Sequence, residues 1–296
     1  MSNSAERPPR RLRQALAGVR GLLLDLDGVI VLAGQAVPGA RDAVADLEKR
    51  GVPYRVVTNT SLGSRATLAR TAAELGFQIG PDRFESALSV SAAYTAARYA
   101  GQPLYVLSSD DARTEFLGQH LLGHEEAGAP NATAAAVVIG DSPDELTYTN
   151  LNRAFRLVRN GAELIGMHRN MWWLTPEGPT LDAGALVTGL EAATGVRAGI
   201  LGKPSRAFFG LAARDLAAEI RASGGPGRVL RSELAMVGDD VWSDVLAAKR
   251  AGLRGIFVRS GKHGQAELDE AASQRRGGGQ PDAIADSLAE VVAALG

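Results

Sequence analysis

The chain has 296 residues, of which 45% are hydrophobic, a formal net charge of −1 and no cysteine. That length can bury one large or two ordinary cores, and the missing cysteines exclude disulfides, thiolate metal sites and cysteine nucleophiles. Balanced charge argues against a nucleic-acid partner, and no run approaches the ~20 apolar residues of a membrane span, so a cytoplasmic protein acting on small molecules is expected.

Residues 1–18, with Arg7, Pro8, Pro9, Arg10, Arg11 and Arg13, read as a basic mobile tail. The first apolar run, Val19-Arg20-Gly21-Leu22-Leu23-Leu24, breaks at Asp25-Leu26-Asp27-Gly28 and fits a central strand of a parallel sheet. Residues 38–49 then predict a helix with Ala40, Ala43, Val44 and Leu47 on one face. A strand over 54–57 ends at Thr58-Asn59-Thr60-Ser61, and a helix over 65–75 stops at Gly76. This β-α-β-α grammar implies a parallel sheet with right-handed crossovers. The middle section carries strands at 104–107, 134–139 and 163–167 and a helix at 146–158, enough for a sheet of its own. The final third adds strands at 234–238 and 255–258 around a helix at 242–250. A break at Gly277, Gly278 and Gly279 then precedes a helix over 282–295. No internal repeat of fixed period is present.

Chemistry-bearing residues recur directly after apolar runs. A strand's period of two puts Asp25 and Asp27 on one side, and two carboxylates so close call for a cation or a shared proton. Thr58-Asn59 follows Val56-Val57, Gly202-Lys203-Pro204 follows Ile200-Leu201, and Gly238-Asp239-Asp240, with Asp244 four residues later, follows Met236-Val237. Each alone has a plain structural reading: Asp-x-Asp-Gly and Thr-Asn as turns, Lys203 as a surface cation, Asp239 and Asp240 as helix caps. Together, acids, a lysine and hydroxyl donors along one sheet edge describe a magnesium-phosphate site.

In this order the motifs Asp25-Leu26-Asp27-Gly28-Val29, Thr58-Asn59, Gly202-Lys203-Pro204 and Gly238-Asp239-Asp240 with Asp244 resemble those of the haloacid dehalogenase superfamily of phosphohydrolases. Segments 151–157, 175–178 and 187–191 are similar to its type IIA capped, NagD-like branch. The resemblance implies an α/β fold: a Rossmann-like parallel-sheet core from residues 19–87 and 198–296, with the inserted α/β cap domain of that branch over 88–197. It implies Asp25 as nucleophile, forming an aspartyl-phosphate, and Asp27 as general acid and base. Mg2+ would be held by the Asp25 carboxylate, the Asp27 carbonyl and Asp239, with Asp240 or Asp244 orienting its waters. Thr58, Asn59 and Lys203 would bind the phosphoryl oxygens.

Substrate identity does not transfer with the motifs. Where pyridoxal phosphate phosphatase offers a cap histidine, this chain has His168-Arg169-Asn170-Met171-Trp172-Trp173, with Trp173 near that place. His168, Trp172 and Trp173 are therefore the candidates for substrate contact in the cap, each with core packing as its plainer reading. Capped relatives also pair through their caps, so a homodimer is expected.

The implied activity is Mg-dependent hydrolysis of a small phosphomonoester, phosphoramidate or pyrophosphate. The alternatives are a phosphotransferase of the same fold and a non-catalytic phosphate-binding scaffold. Gly202-Lys203 and Gly261-Lys262 lack the upstream glycine and following Ser/Thr of a Walker loop, and Gly224-Gly225-Pro226-Gly227 lacks dinucleotide-loop spacing.

Overall fold

The run Gly21–Asp25 forms a strand in which Leu22, Leu23 and Leu24 are fully buried. Both faces are covered, which is why the residues are continuously apolar instead of alternating. In the computed structural model, which describes residues 9–175, 178–274 and 279–296, this strand lies inside a six-stranded sheet. The order is Ala283–Ala285, Arg254–Val258, Leu234–Gly238, Gly21–Asp25, Tyr54–Thr58, Phe84–Ser86. Leu24 lies level with Val237 on one side and Val56 on the other, both in parallel register. Chain order runs outward in both directions from Gly21–Asp25, so the sheet has its switch point there, where ligands of open α/β sheets bind beyond the strands' carboxyl ends.

The chain divides into two units. The first takes the described part of residues 1–58 with 69–84 and 209–296, and the second takes 59–68 and 85–208. In the first, helix Ala40–Lys49 buries Ala40, Ala43, Val44 and Leu47, the face expected from their spacing. Helix Arg206–Ala222 packs so closely on the first strand that a Cβ at Gly21 would lie 3.1 Å from the Leu216 side chain.

Two expectations are corrected in this unit. Residues 10–16 are not a mobile tail: Arg10–Leu16 is a helix whose Leu12 and Leu16, one turn apart, are buried, and the Ala15 carbonyl accepts a hydrogen bond from Arg254. Residues 1–8 lie outside the described residues. The span 282–295 is not one helix: Ala283–Ala285 is an edge strand with Ala283 and Ala285 buried, and helix Leu288–Ala294 follows. Asp282 sets that register, its Oδ2 accepting from the Gly255 N–H at 2.8 Å and its Oδ1 pairing with Lys249 at 2.7 Å. Gly277 and Gly278 of the glycine break, like Pro176 and Glu177, lie outside the described residues.

The second unit contains the expected cap region together with 59–68, 85–87 and 198–208. Its four-stranded sheet runs Gly199–Ile200, Glu163–Gly166, Ala136–Ile139, Leu104–Leu107, parallel throughout. Helices Tyr148–Arg159 and Ala183–Thr194 cover it, with Leu157, Val158, Val187 and Leu190 in the shared core. A hairpin pairs Trp172–Thr175 with Gly178–Leu181. Among the described residues no helix is long and apolar enough to cross a membrane.

Candidate active site

The acids gather in the first unit because two neighbouring parallel strands end side by side. Asp25 closes Gly21–Asp25 and is 5% exposed, while Leu234–Gly238 hands over to Asp239, 3% exposed. The chain then makes a wide turn of π-helix over Val241–Leu246, which brings Asp244 back to the strand end, fully buried. Such π-turns recur at functional sites. Carboxylate oxygens of Asp25, Asp239 and Asp244 all lie within 4.8 Å of one another.

Glycines make the room. Gly28 sits at φ +79°, its N–H bonded to the Val31 carbonyl at 2.7 Å, and a Cβ there would collide with the Asp239 carboxylate. A Cβ at Gly238 would collide with Asp244, and one at Gly261 with Asp239. Three buried carboxylates, with no nitrogen or sulfur donor in the group, form a set that suits a hard divalent cation and not zinc. Without a cation or proton their repulsion would be costly. The residues therefore fit the implied metal.

The neighbouring acids serve differently. Asp240 is not part of that group: its Oδ1 accepts from the Trp242 and Ser243 N–H groups at 2.8 Å each, and its Oδ2 pairs with the Lys262 ammonium at 2.9 Å. Burial alone would push its carboxyl up, but Lys262 and the Ser243 N–H outweigh that and hold it down at about 2. Burial would lower the Lys262 ammonium, and Asp240, Asp239 and Asp244 together raise it instead. Asp244 and not Asp240 thus joins Asp25 and Asp239. Asp27 is exposed, in a bridge to Val31 just past the strand.

One brace is not anticipated by the motifs. Ser260 Oγ donates to the Gly28 carbonyl at 2.6 Å, the Lys262 N–H donates to Asp239 Oδ2 at 2.7 Å, and the Val241 N–H donates to His263 Nδ1 at 3.1 Å. Residues 260–263 thereby fix the turn after the first strand, a clustered acid and the start of the π-turn. The signal for them in the sequence is the polar stretch directly after the apolar run Ile256-Phe257-Val258, where Gly261-Lys262 otherwise reads only as a failed Walker loop.

The phosphate-binding candidates fall into two environments. Thr58 is the buried last residue of Tyr54–Thr58 in the first unit. In the second, Asn59 Oδ1 accepts from the Lys203 N–H at 2.7 Å and Asn59 Nδ2 donates to the Lys203 carbonyl at 3.0 Å. The Gly202 N–H bonds to the Met167 carbonyl at 2.6 Å, and a Cβ at Gly202 would come within 2.7 Å of Asn59 Oδ1. The Asn59 amide is engaged by backbone, so it organises the Lys203 segment.

Of the cap candidates, Trp172 and Trp173 are 63% and 40% exposed on the hairpin. His168 is corrected: it is 3% exposed and hydrogen-bonded inside the second unit, so it presents no surface to a substrate.

Comparison with known proteins agrees with this geometry. Residues 22–121 match a family model described as haloacid dehalogenase-like hydrolase, and residues 200–291 a second described as HAD-hydrolase-like. The chain is 34% identical over 252 residues to haloacid dehalogenase-like hydrolase domain-containing protein 2 of Bos taurus, covering 85% of this chain and 88% of that one. It is 32% identical over 283 residues to phospholysine phosphohistidine inorganic pyrophosphate phosphatase of Homo sapiens, covering 94% of each. A crystal structure of 4-nitrophenylphosphatase from Thermotoga maritima superposes with a TM-score of 0.79 at 25% identity, covering 95% of this chain and 99% of that one. With its buried acid cluster at the switch point of a parallel sheet, the chain belongs to the haloacid dehalogenase-like hydrolase family, in the branch of the NagD-like phosphatases.

Proposed function

We propose that this phosphate-ester hydrolase is magnesium-dependent and works through an aspartyl-phosphate on Asp25, releasing inorganic phosphate from a small phosphorylated substrate. One observation carries the reading: Asp25, Asp239 and Asp244 bring buried carboxylate oxygens within 4.8 Å of one another at the carboxyl end of the central strand. When bound there, magnesium would neutralise the acids and the phosphoryl charge.

Asp25 Oδ attacks phosphorus in line, the bond from phosphorus to the leaving group breaks, and Asp27 gives its proton to the departing atom. Asp27, now ionised, takes a proton from water, whose oxygen attacks the phosphorus of the acyl phosphate and frees Asp25 and phosphate. One displacement becomes two easier ones, and the proton transfers typically contribute ~10² to 10⁴ fold. The exposure of Asp27 suits a residue that exchanges protons with water. Thr58, Asn59 and Lys203 take their phosphate-binding roles from the motif order, with Lys203 supplying charge. The name of the human relative extends the substrate class to phosphoramidates and pyrophosphate, in which nitrogen or a second phosphate is the leaving group.

The test is Asp25→Asn. It should abolish turnover of phosphate esters and acid-stable phosphate labelling of the chain while leaving the fold intact, and persistent labelling of the variant would sink the nucleophile assignment.

A further inference from the structure

Three ionisable groups that this chemistry does not use are packed together inside the second unit. His168 is 3% exposed, Asp182 5% and Asp141 7%, and Ser61, at 1%, lies among them. Burying such groups is unfavourable unless their polar atoms find partners. The partners here assign the ring's proton.

Asn170 donates its N–H to His168 Nδ1 at 3.3 Å, so Nδ1 is the acceptor. A neutral imidazole has one acceptor and one donor, which leaves the proton on Nε2. That nitrogen is 3.1 Å from Ser61 Oγ and 3.5 Å from Asp182 Oδ1. Ser61 Oγ also accepts the Asp141 N–H at 2.8 Å. Burial lowers the imidazole pKa and raises the carboxyls of Asp141 and Asp182, consistent with a neutral ring. Asp182 is anchored in turn, its Oδ1 accepting the Ala183 N–H at 2.7 Å at the start of helix Ala183–Thr194.

Ser61 stands two residues beyond Asn59, and His168 directly follows Met167, whose carbonyl accepts from Gly202 at 2.6 Å. The segment 59–61 is therefore tied twice to one region, through Asn59 to the Lys203 backbone and through Ser61 to His168. We propose that His168 is a positioning residue for the phosphate-binding loop: its Nε2–H holds Ser61, and so fixes the Asn59 clasp that sets the place of Lys203. This rests on the phosphatase reading above. Preorganised donors are what make such a site effective, because charge develops faster than a loose loop can reorganise.

The experiment compares wild type with His168→Leu, His168→Gln, Ser61→Ala and the His168→Leu/Ser61→Ala double variant. The measurements are kcat and KM for p-nitrophenyl phosphate, inhibition by inorganic phosphate, thermal midpoint, and the ring 15N shifts of His168. Wild type should show the neutral Nε2–H tautomer. His168→Leu and Ser61→Ala should each weaken phosphate binding about five- to thirtyfold, the double variant no further than the worse single one. His168→Gln, which can place a donor near the same point, should retain phosphate affinity within about threefold. Additive losses, unchanged phosphate affinity in Ser61→Ala, an Nδ1–H ring, or failure of the glutamine to restore affinity overturns the role of His168. A wild-type protein that neither hydrolyses the ester nor binds phosphate overturns the phosphatase reading, and this inference with it. If His168→Leu does not fold, Ser61→Ala and the ring tautomer still decide the matter.

Discussion

Asn59 grips the backbone of Lys203 at both polar atoms of its side chain, Oδ1 taking the N–H at 2.7 Å and Nδ2 giving to the carbonyl at 3.0 Å. The same peptide neighbourhood is closed from the other side by the bond from Gly202 to the Met167 carbonyl, at 2.6 Å. The asparagine therefore fixes the stretch of chain that carries the Lys203 ammonium.

Removing this clasp should loosen phosphate without touching the acids. Asn59→Ala is expected to weaken competitive inhibition by inorganic phosphate about five- to thirtyfold, the equivalent of losing one or two partly buried hydrogen bonds. Asn59→Asp should be worse, since it retains the acceptor for the Lys203 N–H but sets a carboxylate oxygen against the Lys203 carbonyl. Inhibition constants within twofold of wild type for both variants would show that the clasp is dispensable.

Much of the site was legible because its residues follow apolar runs: Asp25 after Leu22-Leu23-Leu24 and Asp239 after Met236-Val237 read directly as strand-end acids. The gathering of Asp244 with Asp25 and Asp239 was not, because the π-turn over Val241–Leu246 brings it there and ordinary helix spacing does not foretell one. His168 looked like a surface ligand candidate because its partner Ser61 is 107 positions away, and a lone histidine carries no sign of burial. At the C-terminus, alanines fit helix and strand equally. Only the pairing of Phe257 with Ile284 and the anchoring of Asp282 select an edge strand there.

The N-terminal helix should contribute to stability despite its basic composition. Leu12 is fully buried and Leu16 nearly so. Leu12→Ala is expected to cost about 2–5 kcal/mol in chemical denaturation, the range for truncating a buried leucine. A loss below about 0.5 kcal/mol, typical of exposed sites, would restore the picture of a mobile tail.

Acid should loosen the second unit through Glu191. Its carboxylate takes both Arg169 Nη1 and Nη2 at 2.8 Å and the Ala198 N–H at 2.8 Å. The Arg169 bonds, ahead of the burial that opposes them and the Ala198 bond that assists, bring its pKa from 4.5 down to about 2. A carboxyl depressed in the folded state gives stability that is present above its unfolded pKa and lost as pH falls through the folded one. The contribution should therefore be whole above pH 4.5 and disappear towards pH 2. Glu191→Gln should have a lower unfolding midpoint at neutral pH and a shallower decline across that window. Parallel curves for the two proteins would exclude this linkage.

The hairpin tryptophans separate substrate contact from packing. Trp172 faces Leu181 across the strand pair, and both are 63% exposed, so neither is needed to fill a core. Trp172→Ala and Trp173→Ala should leave the thermal midpoint within about 4 °C of wild type. A raised KM with phosphate inhibition unchanged is the expected signature of contact with the substrate's leaving group. Sedimentation of the same variants reads whether the hairpin joins two copies, as the expected cap homodimer would require.

The sharpest test of the metal site is the residue that contributes no side chain. Gly261 passes so close to Asp239 that a Cβ would overlap its carboxylate, while the next residue, Lys262, donates its N–H to Asp239 Oδ2 at 2.7 Å. Gly261→Ala must push Asp239 out of its position relative to Asp25 and Asp244, or move the loop and break that bond. Either change disturbs the support of an acid in the group, a kind of alteration that typically costs about ten- to hundredfold in metal affinity. Titration with Mn2+ followed by electron paramagnetic resonance should show this weakening without any reliance on turnover. Ser260→Ala, which removes only the bond to the Gly28 carbonyl, should show a smaller one. Wild-type Mn2+ affinity in Gly261→Ala would mean that the cation is held away from Asp239, and the three-carboxylate site would have to be abandoned.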